Sequence, residues 1–378
     1  MHLSLLFSGA GTLLLGPTLP AFAQRWGLHD SQSGLLIGAQ FFGLFLGAIA
    51  LSRNLRVTLL CGYVVAATGF LTLAVTAGNA GGYIPGILGF FLLGLGLGQI
   101  TTTVNLLSAR RFQDSVRRSS VLSLLNFTWS AGAVLASLIA GFYLAHFSLF
   151  LLLTSFAAYA VVLFGALFVA LPDDAAPTAV GESTSVGMPL PPLAYFFLLF
   201  FLYGGLEATV GGWLSTYTLR YTTLDVAAVA YCTTALWAAF AAGRALAAGL
   251  LRVLPERAVR TAGILLATGA TAALRGAHTP LAIEACAVCI GLGIAPFFPV
   301  TFSLLMELAP SPRQAGAATA NIGLGSALLP YLTGIVSTRA GSLHSAMAMP
   351  IAIAILLLAL VSIRRAGSPR TPSDAVSN

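Results

Sequence analysis

The chain has 378 residues, of which 58% are hydrophobic and 8% are charged. A soluble domain carries about 25% charged residues and could not hide this much apolar surface, so a soluble fold is excluded and an integral membrane protein remains. The net charge of +7 does not imply a nucleic-acid partner: all 18 basic residues are arginines, set mainly in short loops between apolar runs, as expected for one face of a bilayer.

A helix needs about 20 apolar residues to cross the hydrocarbon. In chain order, runs of suitable length occupy 3–23, 32–52, 57–76, 83–108, 120–145, 149–171, 192–219, 226–251, 259–275, 280–306, 314–338 and 345–363. They predict an all-α membrane protein of twelve transmembrane helices. The first run lacks a basic flank and a cleavage site, so it reads as a retained helix and not a signal peptide. Residues 172–191, PDDAAPTAVGESTSVGMPLP, are polar, acidic and proline-rich. They predict a linker between an N-terminal six-helix bundle, 1–171, and a C-terminal one, 192–363, with a polar tail at 364–378.

Twelve crossings return both termini to one side. Counting loops alternately, that side receives thirteen arginines (53, 56, 110, 111, 117, 118, 252, 257, 260, 313, 364, 365 and 370). The other side receives four: Arg25, Arg220, Arg275 and Arg339. The asymmetry predicts cytoplasmic termini and a cytoplasmic linker, with a bacterial plasma membrane as the expected setting.

The two halves echo each other. Gly9, Gly16 and Arg25 recur as Gly204, Gly211 and Arg220, 195 positions later. Gly47 is matched by Gly243, Gly94-Leu95-Gly96 by Gly291-Leu292-Gly293, and Asn126 by Asn321. A nearly constant shift across several helices indicates a duplication. Two parallel repeats with a site between them are what an alternating-access transporter requires.

Glu207 sits in the middle of FLYGGLEATVGGWLSTY, residues 201–217. A buried charge at that depth marks either a transport pathway or an ion pair. The other deep ionisable group is Arg244. Two readings stay open: Glu207 takes up a proton or grips the substrate, or Glu207 and Arg244 form a structural pair. Other candidate substrate-binding groups are the amides Gln40, Gln99, Asn105, Asn126 and Asn321 and the aromatics Trp129, Tyr203, Trp213, Tyr217 and Trp237. Amides hydrogen-bond hydroxyls in both directions, and ring faces cover the apolar side of a sugar. Each amide has an alternative reading as a helix–helix hydrogen bond. Cys286 and Cys289 form a CxxC, read as two small residues one turn apart and not as a metal site. No cofactor or metal is expected. GLGLG at 94–98 follows no strand and is not a dinucleotide fingerprint.

Several stretches carry a family resemblance. FLYGGLEATVGGWLSTY, GLGIAPFFPVTFSL (291–304), GLGSALLPYLTGIVSTRAGSLHSA (323–346) and LNFTWSAGAVLASLIAG (125–141) resemble helices seven, ten, eleven and five of the fucose–proton symporter branch of the major facilitator superfamily. The resemblance implies two pseudo-symmetric six-helix bundles and sugar transport coupled to protons. Two departures accompany it. The superfamily's loop acid is absent from GAIALSRNLR (47–56), and Leu251 stands where the acid of the matching loop would fall. The carboxylates that the branch tends to carry in helices one and four are also missing; Gln99, Thr101, Thr102, Thr103 and Asn105 occupy helix four.

The expectation is therefore a transporter, not an enzyme, moving a small neutral polar solute such as a sugar, with protons as a coupling partner. It would work as a monomer in a lipid bilayer. An exporter of drugs or metabolites is the alternative, and an intramembrane enzyme or receptor a remote one.

Overall fold

Backbone groups in hydrocarbon have no water to bond, so each apolar run must close its own hydrogen bonds as a helix. The computed structural model describes residues 1–52, 54–79, 81–111, 115–171, 187–308 and 310–363. Among these the chain is helical: α1 (His2–Leu13), α2 (Leu15–Trp26), α3 (Asp30–Ile49), α4 (Leu55–Ala77), α5 (Tyr83–Arg111), α6 (Ser115–His146), α7 (Leu149–Ala170), α8 (Leu190–Tyr221), α9 (Val226–Leu250), α10 (Glu256–Leu274), α11 (Pro280–Ile294), α12 (Phe297–Glu307), α13 (Pro312–Ala340), α14 (Leu343–Ala346) and α15 (Ala348–Ile363). Most of the linker, 172–186, and the tail, 364–378, lie outside the described residues.

Ten spans are long and apolar enough to cross a membrane, and the bent pair α1–α2 supplies an eleventh. Helix α10 is the twelfth passage. Its first turns carry Glu256, Arg257 and Arg260, which dilute its hydropathy, and it packs between α11 and α15. The fold is thus an all-α bundle of twelve membrane passages.

Three predicted single helices are broken, each at prolines. α1 and α2 meet at 41°. Pro17 has no N–H for the Leu13 carbonyl and Pro20 none for that of Gly16, so two helical bonds are lost there. Beside the break, the Thr18 hydroxyl donates to the Leu14 carbonyl at 2.7 Å. Pro296 and Pro299 separate α11 from α12 in the same way, and Pro350 separates α14 from α15.

The helix pairings repeat. The contacts α3–α5, α4–α5, α1–α6 and α4–α7 are matched by α9–α11, α10–α11, α8–α13 and α10–α15. Glycine sets the closest of them. A Cβ on Gly94 would strike the Gln40 carbonyl and the Leu44 amide; one on Gly291 would strike the Leu236 carbonyl and the Phe240 amide. Both partners are displaced by the same 196 positions. The recurring glycines thus hold α5 on α3 and α11 on α9 in equivalent registers. The first set, α1–α7, meets the second, α8–α15, chiefly through α3–α13, α6–α9 and α2–α8. Gly16 and Gly211, which are repeat-related, touch each other across this boundary.

Candidate functional site: a cavity between the two helix sets

A cavity of about 520 Å³ lies where the sets meet. The break after α1 places Thr12 and Leu13 in its wall. α8 contributes Glu207 and Ala208, α9 Trp237 and α6 Trp129. Along α3 the wall runs from Phe41 to the last residue, Ile49; along α13 it runs from Gly316, in the second turn, to Ser326. The cavity therefore extends from mid-membrane toward the side on which α1 begins and α15 ends, called here the terminal side. A small void of about 20 Å³ continues toward the far side, pinched between Ile37, Phe41, Trp237 and the glycines 16, 211 and 212.

The far side is closed by polar contacts across the boundary. Arg220, at the end of α8, grips Asp30, at the start of α3, with both terminal nitrogens; its Nη1 lies 2.7 Å from Oδ2. The Ser337 hydroxyl of α13 donates to the same carboxylate. The Ser31 amide donates to the Thr338 hydroxyl at 2.8 Å. Beneath them, Gly34 and Gly38 let α3 lie directly on α13 at Tyr331 and Ala327. Asp30 is 8% exposed at its side chain and Arg220 39%.

Among the described lining residues Glu207 is the only ionisable one. Arg244 is not in the wall. Its Nη1 donates to the Ser130 hydroxyl of α6 at 3.1 Å, and its guanidinium lies 4.4 Å over the Phe240 ring. The charges of Glu207 and Arg244 act on each other, and Tyr203, one turn before Glu207, interacts with both. Tyr203 itself is buried and stacked on Phe297 with centroids 5.3 Å apart. Arg244 thus joins the two sets through Ser130 and acts on Glu207 both directly and beside Tyr203.

The other sequence candidates are distributed differently. Only Trp129 and Trp237 share the cavity with Glu207. Gln40 is fully buried, and its Nε2 donates to the Thr12 carbonyl at 2.7 Å, supporting the α1 break. Asn321 donates to the Phe197 carbonyl at 2.8 Å and joins α13 to α8. Trp213 donates to the Pro330 carbonyl at 3.1 Å and ties α8 to α13. Tyr217 donates to the Leu274 carbonyl at 3.0 Å. Gln99 reaches the Ala50 carbonyl at 3.4 Å, Asn105 leaves a buried oxygen unbonded, and Asn126 is exposed on α6; none of the three lines the cavity. Thr12, Thr102, Thr319 and Ser326 are the hydroxyl-bearing residues of the wall, the Thr12 hydroxyl itself being buried, and Phe41, Phe45 and Ile322 are among its apolar ones. Of these only Thr102 stood out in the sequence. The Asp30–Arg220 pair carried one signal: opposite charges opening the second run and closing the seventh, on the same predicted side.

The family model of the Major Facilitator Superfamily matches residues 1–322. The chain belongs to that superfamily. Bypass of stop codon protein 6 of Saccharomyces cerevisiae (strain ATCC 204508 / S288c) is 22% identical over 397 residues, covering 88% of this chain and 79% of that protein. Two sugar transporters share the fold. A crystal structure of the E. coli fucose:proton symporter FucP is 20% identical, covers 96% of this chain and 97% of its own, and has a TM-score of 0.62. The E. coli xylose transporter XylE in an inward open conformation is 12% identical, covers 98% and 95%, and has a TM-score of 0.79. FucP is nearer in sequence and XylE nearer in shape.

Proposed function

We propose that this superfamily transporter moves a small polar solute, most directly a sugar or sugar derivative, by alternating access between two six-helix bundles. The observation that carries this reading is the grouping of Glu207, Trp129 and Trp237 around one cavity on the boundary between the sets. Indole faces cover the apolar face of a pyranose, and a carboxylate accepts from two adjacent hydroxyls. A volume of about 520 Å³ is within the range of about 300–1,000 Å³ typical of ligand pockets.

With the arginine-rich terminal side taken as cytoplasmic, the cavity faces inward and the Asp30–Arg220–Ser337 cluster is the external closure. Opening to the outside requires that cluster to part and the terminal ends of α3 and α13 to approach. Glu207 is the coupling group: protonation removes its charge from a site that would otherwise cross the membrane charged. Glu207→Gln is expected to abolish substrate accumulation driven by a pH gradient in proteoliposomes and to keep exchange of labelled for unlabelled sugar. Full accumulation by the variant would remove Glu207 from coupling.

A second reading is an exporter of amphipathic metabolites or drugs. The mostly apolar wall favours it, since the amides expected in the site hold helices together instead. A thermal-shift panel of sugars and lipophilic cations separates the two, because only bound ligands raise the melting temperature.

A further inference from the structure

Arg220 and Asp30, the ion pair of the far-side closure, each have a counterpart 195 positions away: Arg25 for Arg220 and Asp225 for Asp30. In both repeats the arginine lies in the last turn of one helix, and the aspartate stands at the start of the next, five residues on. The cavity below shows that the two sets meet about a pseudo-two-fold axis. Thr12 and Glu207, Leu13 and Ala208, and Phe41 and Trp237 line it in repeat-related pairs, and Gly16 touches Gly211 beyond them. The same axis turns the pair Arg220–Asp30 into the pair Arg25–Asp225. The helices that carry this second pair, α2 and α9, belong to different sets and pack together.

The second pair has other partners in this structure. The Arg25 Nη1 donates to the Ala77 carbonyl of its own set at 3.4 Å, and Asp225 accepts from the Ala228 amide at 2.7 Å as the N-cap of α9. Both residues are exposed. Ser337 fixes Asp30 in the first pair, whereas the matching place on α6 is held by Phe142, which has no hydroxyl to give. A guanidinium has five donors and a carboxylate about four acceptor positions, and the contacts above occupy one of each.

We infer that Arg25 and Asp225 form a second ion pair of the far-side closure, across the boundary between α2 and α9. The inference rests on reading the Asp30–Arg220 cluster as that closure. The two pairs differ in kind. The first is partly buried and tied to a hydroxyl; the second is open to water, so it contributes less and is screened by salt. With both made, the far side is held on both flanks of the axis. With the first alone, it is held only on the flank of α3 and α13.

Zero-length crosslinking tests it. The chain has no lysine, so Arg25→Lys supplies its one lysine amine. A carbodiimide joins that amine to a carboxylate it touches, and peptide mass spectrometry of the full chain in phospholipid vesicles identifies which. Arg25→Lys is expected to link to Asp225, as Arg220→Lys links to Asp30. Arg339→Lys, exposed on the same side, is expected to leave Asp225 unlinked. If Arg220→Lys links to Asp30 but Arg25→Lys links elsewhere or not at all, the second pair is overturned and the closure stands. An equal yield on Asp225 from Arg339→Lys overturns it too. Failure of both links overturns the closure and the second pair with it. A second measurement reads the energetics. Asp225→Asn removes the charge but keeps the cap, since asparagine caps a helix as well as aspartate does. Spin labels at Asn79→Cys and Ser345→Cys, exposed on the far side, report opening in a chain freed of its native cysteines. Asp225→Asn and Arg25→Gln are each expected to raise the open-to-closed ratio roughly 2- to 5-fold, the double variant no further. The effect should vanish at about 1 M salt. Single effects that simply multiply in the double variant overturn the pair.

Discussion

Asp30→Asn removes one charge from the far-side closure and leaves its shape intact. Asparagine still accepts from Ser337, but Arg220 loses its bidentate anion. Breaking a buried ion pair costs about 3–5 kcal/mol, and an exposed pair contributes about 0–1. Asp30 is buried but the Arg220 side chain is 39% exposed and partly screened, so about 1–2 kcal/mol is the expected loss for the closed state. The open state has no such pair to lose. At about 1.4 kcal/mol per decade, the ratio of closed to open far side falls roughly 5- to 30-fold. The measurement is a spin-label distance distribution between Gln24→Cys and Ser345→Cys, both exposed on the far side, after replacement of Cys61, Cys232, Cys286 and Cys289. A longer distance should gain population in Asp30→Asn and in Arg220→Gln, and the double variant should be no worse than either. An unchanged distribution in Asp30→Asn would refute the assignment of this cluster as the closure.

Three further outcomes follow from the packing. Gly94→Ala and Gly291→Ala each push a methyl into a facing backbone carbonyl, so each should destabilise by about 1–3 kcal/mol and lower the melting temperature in detergent; equal stability would mean the helices are not held at that distance. Gly165→Ala, where a Cβ meets nothing within 4 Å, is the neutral control. Trp237→Ala widens the pinch between the cavity and the far-side void; it should weaken sugar binding in a thermal-shift titration by about 1–3 kcal/mol, and unchanged affinity would place the ligand elsewhere. Ser130→Ala removes the bond that Arg244 makes across the boundary, and should destabilise by about 1–3 kcal/mol if the guanidinium finds no other acceptor; a rescue by Ser130→Thr separates the hydroxyl from simple packing.

Twelve membrane passages were legible because hydrocarbon enforces a rule on composition: about 20 apolar residues for each crossing, whatever their order. The repeat was legible because close helix contacts admit only glycine, and glycine at a fixed offset survives as a letter. Glu207, Trp129 and Trp237, which line one cavity, stand out in the sequence for a related reason, since a charge or an indole at mid-depth needs a partner or a ligand. The amides were the ambiguous class. Gln40 and Asn321 look like ligands in the sequence, yet they bond the backbone of helices packed beside them, α1 and α8. An amide satisfies a carbonyl and a substrate hydroxyl equally well, and only the distance to the neighbour separates the two uses. Prolines lie where α1 and α11 break, but a proline does not tell that the first break would place Thr12 and Leu13 in the cavity wall. The far-side closure needed the three-dimensional arrangement most. Asp30, Arg220 and Ser337 lie 190 and 307 positions apart as counted from Asp30. Composition and period act along the chain and can be read there; a contact between separate helices depends on how those helices tilt and rotate against each other, and that is decided by packing.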